Sequence, residues 1–241
     1  MKMTKHQSIY QLTYLPNLFP VNCYLIEEED GLTLIDAAMP GNAAAILNAA
    51  SSIGKPIVRI VLTHAHSDHI GALDALKDKL PEAKVYISER DARLLRGDRT
   101  LDPAEGNLPI KGGVPKPGAI RTVPDTLLRG GDRIGSLLAV TAPGHTPGSI
   151  AFLDTRGGEL IAGDAFQIRG GLAVSGQLQW RFPFPALATW NKQVALDSAR
   201  KLKDLQPTLL AAGHGSWIHH PEERMNLAIA AAEARMAGAS R

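Results

Sequence analysis

The spacing of apolar positions changes period repeatedly along the first third of the chain. Residues 21–27, 32–36 and 57–62 are short apolar runs bounded by turn residues, the pattern of buried strands. Between the last two, the Ala-rich stretch 42–51 has helical spacing, and Gly31, Gly41 and Gly54 punctuate the alternation. Residues 72–80 predict a helix ended by Pro81, 84–87 a strand, and 88–95 a helix with Ser88 as N-cap. Residues 97–118 are rich in Gly, Pro and charge and follow neither period, which predicts a long loop.

The second half is looser but keeps the same α/β rhythm. Strands are expected at 120–123, 137–141, 149–154 and 159–162, with Thr155-Arg156-Gly157-Gly158 joining the last two as a hairpin. Trp190, Val194, Leu196, Ala199 and Leu202 fall at helical spacing within 189–205, and 208–211 reads as one more buried strand. A final amphipathic helix over 221–236 has Pro221 in its first turn and Glu222 and Glu223 near its positive end. The polar start, residues 1–7 with His6, reads as frayed.

A chain of 241 residues, 44% hydrophobic and without a short tandem repeat, is read as a single domain over residues 1–241. Lys and Arg number 26 against 24 Asp and Glu, so no strong field favours nucleic acid or an anionic membrane as partner. The lone Cys23 excludes an internal disulfide and a thiolate metal cage, and the start lacks the apolar stretch of a secretory signal. The most apolar windows, 137–142 and 227–234, are too short or too interrupted by charge to span a bilayer. A soluble, cytoplasmic protein acting on a small molecule is the expectation, with the oligomeric state open.

The chemistry concentrates in Thr63-His64-Ala65-His66-Ser67-Asp68-His69, directly after the strand-like run 57–62. Imidazole and carboxylate donors suit zinc, manganese or iron. Three more candidates sit where apolar runs end in Gly-rich turns: His145 in Pro143-Gly144-His145-Thr146-Pro147-Gly148, Asp164 after Gly163, and His214 between Gly213 and Gly215. Such strand ends let a side chain project from a rigid base while the backbone turns sharply. Asp36 and Thr63 are candidates to orient the ligating imidazoles, with Asp36 as an ordinary turn residue the competing reading. His219 and His220 read as surface or helix-cap residues. The aromatic segment Gln179 to Pro185, which cannot be regular helix, either lines a cleft with Phe166 or fills core.

In this order, T-H-x-H-x-D-H, G-H-T-P-G, G-D and G-H-G resemble the metallo-β-lactamase fold superfamily of metallohydrolases. The resemblance extends from Asn22-Cys23-Tyr24-Leu25-Ile26 and Leu34-Ile35-Asp36 through His214. It implies an α/β fold of four layers, an αβ/βα sandwich with metals at one edge. It also implies that His64, His66 and His145 hold one metal ion and Asp68, His69 and His214 a second, with Asp164 bridging both. Two divalent ions would then be the cofactor, zinc first, with manganese or iron as alternatives. The implied reaction is attack of a metal-bridging hydroxide, available because a bound water's pKa falls to about 7, on a small ester, lactone or thioester. Asp68 is the candidate catalytic proton shuttle.

Departures from known branches narrow the substrate. β-Lactamases of the family lack the bridging carboxylate, and Asp164 argues against that activity. Near-neutral charge argues against RNA cleavage. Only one helix is expected after His214, unlike the helical domain with which glyoxalase II grips glutathione. No tyrosine follows Tyr86, unlike the lactonases that use one after the bridging aspartate. A different reaction class, resembling the persulfide dioxygenases of the superfamily, would hold one iron through His64, His145 and Asp164. A third reading, a non-enzymatic sensor, sits badly with seven ligand positions all filled.

Overall fold

In the computed structural model, which describes residues 1–239 and leaves Ser240 and Arg241 of the expected domain outside the described residues, the chain divides into two units. The first comprises Met1–Arg99 with Gly113–Arg129. Its seven strands are β1 (Lys2–His6), β2 (Ile9–Tyr14), β3 (Val21–Glu27), β4 (Leu32–Ile35), β5 (Ile57–Val61), β6 (Lys84–Ser88) and β7 (Thr126–Leu128), hydrogen-bonded in sequence order. β1 to β4 form an antiparallel meander, whereas β4 to β7 are parallel. Parallel neighbours need crossovers, which helices α1 (Ala43–Ile53), α2 (Ser67–Ile70), α3 (Leu73–Lys79) and α4 (Asp91–Leu95) help to make. Strands β2 to β5 are buried almost throughout, and Ile46, Leu73 and Leu76 bury the inner faces of α1 and α3.

Two expectations fail in this unit. The start is not frayed: Lys2 to His6 pair residue by residue with Thr13 to Ile9 as an exposed edge strand. Lysine and other polar groups on an edge strand guard it against pairing with other chains, so polarity there hid a strand rather than excluding one. Residues 120–123 are not a strand. Asp74 accepts hydrogen bonds from the Arg121 and Thr122 backbone N–H groups and from the Thr122 hydroxyl, so these donors serve a carboxylate instead of a ladder. The strand forms later, as β7, beyond Pro124.

The second unit comprises residues 100–112 and the chain from Gly130 onward. It contains β8 (Arg133–Ile134), β9 (Leu137–Thr141), β10 (Ile150–Asp154), β11 (Glu159–Ile161), a small ribbon of β12 (Phe166–Gln167) with β13 (Ala173–Val174), α5 (Phe184–Ala188), α6 (Lys192–Lys203), β14 (Leu209–Ala211), β15 (Ile218–His219) and α7 (Glu222–Ala239). The main sheet runs β15-β14-β11-β10-β9-β8. The expected hairpin pairs Phe152 with Ile161 and Asp154 with Glu159, and β11 and β14 are parallel. Phe166, Leu196, Leu202, Met225 and Ile229 anchor one buried cluster beneath α6 and α7. Helix α5 begins at Phe184, inside the stretch expected to be irregular, because Pro183 stands at its N-cap and Pro185 in its first turn, where no N–H is needed. Among the described residues no helix is long and apolar enough to cross a membrane.

Asp125 ties β7 to β6 by accepting the Val85 N–H at 2.8 Å, with Lys84 at 3.4 Å and Lys77 at 3.9 Å. The Val85 N–H, opposed by burial and assisted by Lys77 and Lys84, holds this carboxyl below its ordinary range. A depressed folded value contributes stability above the unfolded value of about 4, and that contribution disappears as pH falls through the folded value. Asp125→Ala should therefore cost a few tenths to about 1 kcal/mol at pH 7, after allowance for solvent screening, and progressively less below pH 4. Urea unfolding of both proteins at pH 7 and pH 2.5 measures this; a difference of equal size at both would contradict it.

Candidate metal centre

In the first unit the parallel pairing of Ile35 with Val61 and of Val61 with Tyr86 brings the C-terminal ends of β4, β5 and β6 to one edge of the sheet. Asp36 follows β4, the histidine run follows β5, and Asp91 lies just beyond β6. The Asp36 backbone continues the ladder by donating its N–H to Val61, then turns through a left-handed φ of 61°, a conformation its short polar side chain tolerates better than most.

The Asp36 carboxylate then takes three hydrogen bonds at 2.8 Å. The Thr63 N–H donates to one oxygen, and the Thr63 hydroxyl and His69 Nδ1 reach the other. A hydroxyl has one proton, and Thr63 spends its proton on Asp36. Toward His64 Nδ1, 3.0 Å away, the Thr63 oxygen can only accept. Both Nδ1 atoms therefore carry hydrogen, and on His64 and His69 alike the lone pair resides on Nε2. Asp36 is the imidazole-orienting residue that the competing turn reading would have dismissed.

The four clustered candidates lie together. The His64 ring centroid is 4.9 Å from that of His66 and 4.1 Å from that of His69, and the Asp68 carboxylate is 3.8 Å from His69 Nε2. All three imidazoles are buried, whereas the Asp68 side chain keeps 23% of its surface exposed. The turn itself is pinned by backbone bonds: Ala37 donates to His69 O, Ser67 to Gly113 O, and Ala65 to the carboxylate of Asp91 at 3.0 Å. Asp91 is fully buried, and sequence reasoning missed it. Its signal was present as Ser88-Glu89-Arg90-Asp91, a serine whose hydroxyl accepts the Asp91 N–H.

The second unit repeats the device. β9 and β11 both run antiparallel to β10, and β14 is parallel to β11, so three C-terminal ends again share one edge. They lead to His145, Asp164 and His214. One Asp164 oxygen lies 3.5 Å from His145 Nε2 and 3.2 Å from His214 Nε2, with all three side chains buried. The Phe182 ring packs 5.1 Å from that of His214, and Phe166 is core, while Trp180 is exposed. The aromatic segment thus splits between core and surface. His219 and His220 are exposed, as expected.

The His145 turn is clamped to α6. Ser198 donates to Pro143 O, Asn191 N–H to Gly144 O and Trp190 N–H to His145 O, while the Asn191 side chain caps the helix by accepting from Gln193 and Val194. Gly144 has φ +136°, and a Cβ there would lie 2.3 Å from Ala195 Cα, so only glycine permits this approach.

The donors of the two groups are imidazole nitrogens and carboxylates, with the lone pair fixed on Nε2 of His64 and His69 and carboxylates beside them. This chemistry fits a divalent cation of intermediate hardness and not a structural thiolate site.

Comparison with known proteins agrees. The profile of the Metallo-beta-lactamase superfamily matches residues 16–214. The chain is 59% identical over 229 residues to a Bacillus subtilis (strain 168) protein named "Uncharacterized protein YobT", covering 95% of this chain and 97% of that one. It is 30% identical over 219 residues to "Probable metallo-hydrolase YflN" of the same organism, covering 80% of each. Among solved structures, TTHA1623 in a di-iron-bound form superposes with a TM-score of 0.64 at 28% identity, over 88% of this chain and 96% of that one. The mixed α/β architecture expected from the sequence is present, and the solved structure shares the fold.

Gly144→Ala should destabilise the chain by about 2–4 kcal/mol, the sum of a strained φ and overpacking against backbone. Chemical denaturation measures it, and an unchanged unfolding midpoint would show that the clamp on α6 is not as tight as the geometry requires.

Proposed function

Because the chain belongs to the metallo-beta-lactamase superfamily, we propose that it is a metal-dependent hydrolase whose two donor groups together hold two divalent cations. In this reading His64, His66 and His145 serve one cation, Asp68, His69 and His214 the other, and Asp164 both. The observation that carries it is the hydrogen bonding of Nδ1 on His64 and His69, which reserves Nε2 for a metal. The reading requires the two units to work as one domain over residues 1–241, since neither carries all seven donors. Zinc suits five imidazoles and two carboxylates, and the di-iron form of TTHA1623 keeps iron beside manganese as an alternative.

When bound, two such ions would supply Lewis acidity toward a carbonyl oxygen and would lower the pKa of a water to about 7, making hydroxide available as a nucleophile at neutral pH. The chain's own residues do the rest. Asp164 contributes fixed negative charge beside His145 and His214. Asp36 holds the rings of His64 and His69 through Thr63 and directly. Asp68, the one donor with appreciable exposure, would pass a proton between the site and solvent, a role its 23% exposed side chain supports.

The substrate class is a small carboxylic ester, lactone or thioester. A carboxylate at 164 sets the chain apart from the β-lactamases, and the near-balanced charge gives a nucleic acid or an anionic membrane little purchase. The single cysteine, Cys23, is free and buried, which suits a reducing cytoplasm.

Elemental analysis of the purified chain should find two divalent cations per chain, and chelation should abolish hydrolysis of chromogenic esters or lactones. Asp164→Ala should lose about one cation and lower kcat by at least ~100-fold. A variant retaining both ions and full turnover would contradict the reading, and one iron per chain with oxygen uptake would favour the dioxygenase class instead.

A further inference from the structure

His145 Nδ1 faces two hydroxyls, Ser175 at 3.1 Å and Thr189 at 3.2 Å, which are themselves 2.9 Å apart. The direction of every proton in this group can be read from one end. Thr189 stands at the C-cap of α5, and its hydroxyl donates to the Pro185 carbonyl at 2.7 Å. Its single proton is spent there, because a carbonyl oxygen can only accept. Between Ser175 and Thr189, Ser175 must therefore be the donor. The Nδ1–H form is then the one in which all of these contacts are hydrogen bonds at once: Ser175 donates to Thr189, and both oxygens accept from His145.

We infer that Ser175 and Thr189 are positioning residues that lock His145 as its Nδ1–H form and thereby dedicate Nε2, 3.5 Å from Asp164, to metal binding. The lock originates at the Pro185 carbonyl, so a peptide oxygen at the end of α5 decides the tautomer of a histidine some forty positions earlier in the chain. Ser175 and Thr189 are both buried, so water does not compete for these bonds. The contrast with His69 is chemical: that ring is backed by an anion, Asp36, whereas His145 is backed by neutral hydroxyls that acquire direction only through the carbonyl. The inference rests on the proposal that His145 is a ligand, but the relay itself can be tested without metal.

The arrangement predicts an unequal response to removing each hydroxyl. In Ser175→Ala, the Thr189 proton stays on Pro185, its oxygen still accepts, and the tautomer is kept. In Thr189→Val, the Ser175 proton is released and can turn to donate to Nδ1, which admits the Nε2–H form. Thr189→Ser restores the lock.

The test is 15N NMR of the His145 ring in the metal-free full chain at pH 8.5, paired with zinc affinity from chelator competition. Wild type, Ser175→Ala and Thr189→Ser should show a protonated Nδ1, and Thr189→Val a shift toward protonated Nε2. Affinity for one zinc should fall by about 10–100-fold in Thr189→Val and recover in Thr189→Ser. A wild-type ring protonated on Nε2, a Thr189→Val ring unchanged in tautomer and affinity, or a Thr189→Ser as impaired as Thr189→Val would overturn the relay. Failure of the underlying metal proposal would look different: wild type would bind no zinc while the tautomer pattern still followed the hydroxyls.

Discussion

Three hydrogen bonds to one buried carboxylate set the terms for the first unit. Asp36 takes the Thr63 amide, the Thr63 hydroxyl and the His69 ring, and through Thr63 it also determines the protonation of His64. Imidazole is ambiguous by nature, since either nitrogen can carry the proton and the other the lone pair. Without an external acceptor of fixed polarity, adjacent histidines would sample both forms and present a metal with a mixture of donors. An acceptor-only group at the end of β4 removes that freedom. Its left-handed backbone, unusual for a non-glycine residue, is the kind of local strain that persists where the surroundings demand one geometry.

The same logic explains why both units put chemistry at strand ends. A parallel pair carries its C-terminal ends to one edge, so side chains that are distant in sequence become neighbours on a rigid frame. β4, β5 and β6 do this for Asp36, the histidine run and Asp91, and β9, β11 and β14 for His145, Asp164 and His214. What holds the turns beyond those ends is specific to each: a backbone-to-carboxylate bond from Ala65 to Asp91 in one, and a glycine pressed against α6 in the other.

The legible part of this structure was the part written in local pattern. Apolar runs gave β3 to β6 and β9 to β11 within a residue or two, because a strand buried on both faces has few alternatives. The seven donor candidates were visible because four fall within the six positions 64–69 and the other three sit beside glycine where apolar runs end. β1 was invisible because edge strands are selected to look polar, and the 120–123 strand was misplaced because Asp74, nearly fifty residues earlier, takes its backbone donors. Asp91 left a faint capping signature. Ser175 and Thr189 left none: they are ordinary hydroxyl residues in loops, and their role exists only through proximity to His145 and a proton count that no sequence window contains.

The proposal stands or falls on whether the hydrogen bonds behind the rings leave Nε2 of His64, His69 and His145 as the donors to a metal. Anomalous diffraction at the zinc edge from crystals of the zinc-loaded chain tests this most directly. The account predicts two zinc peaks enclosed by the seven donors, with coordination through Nε2 of those three histidines and Asp36 still on Nδ1 of His69. Zinc bound through Nδ1, or the two donor groups each binding zinc apart from the other, would contradict it.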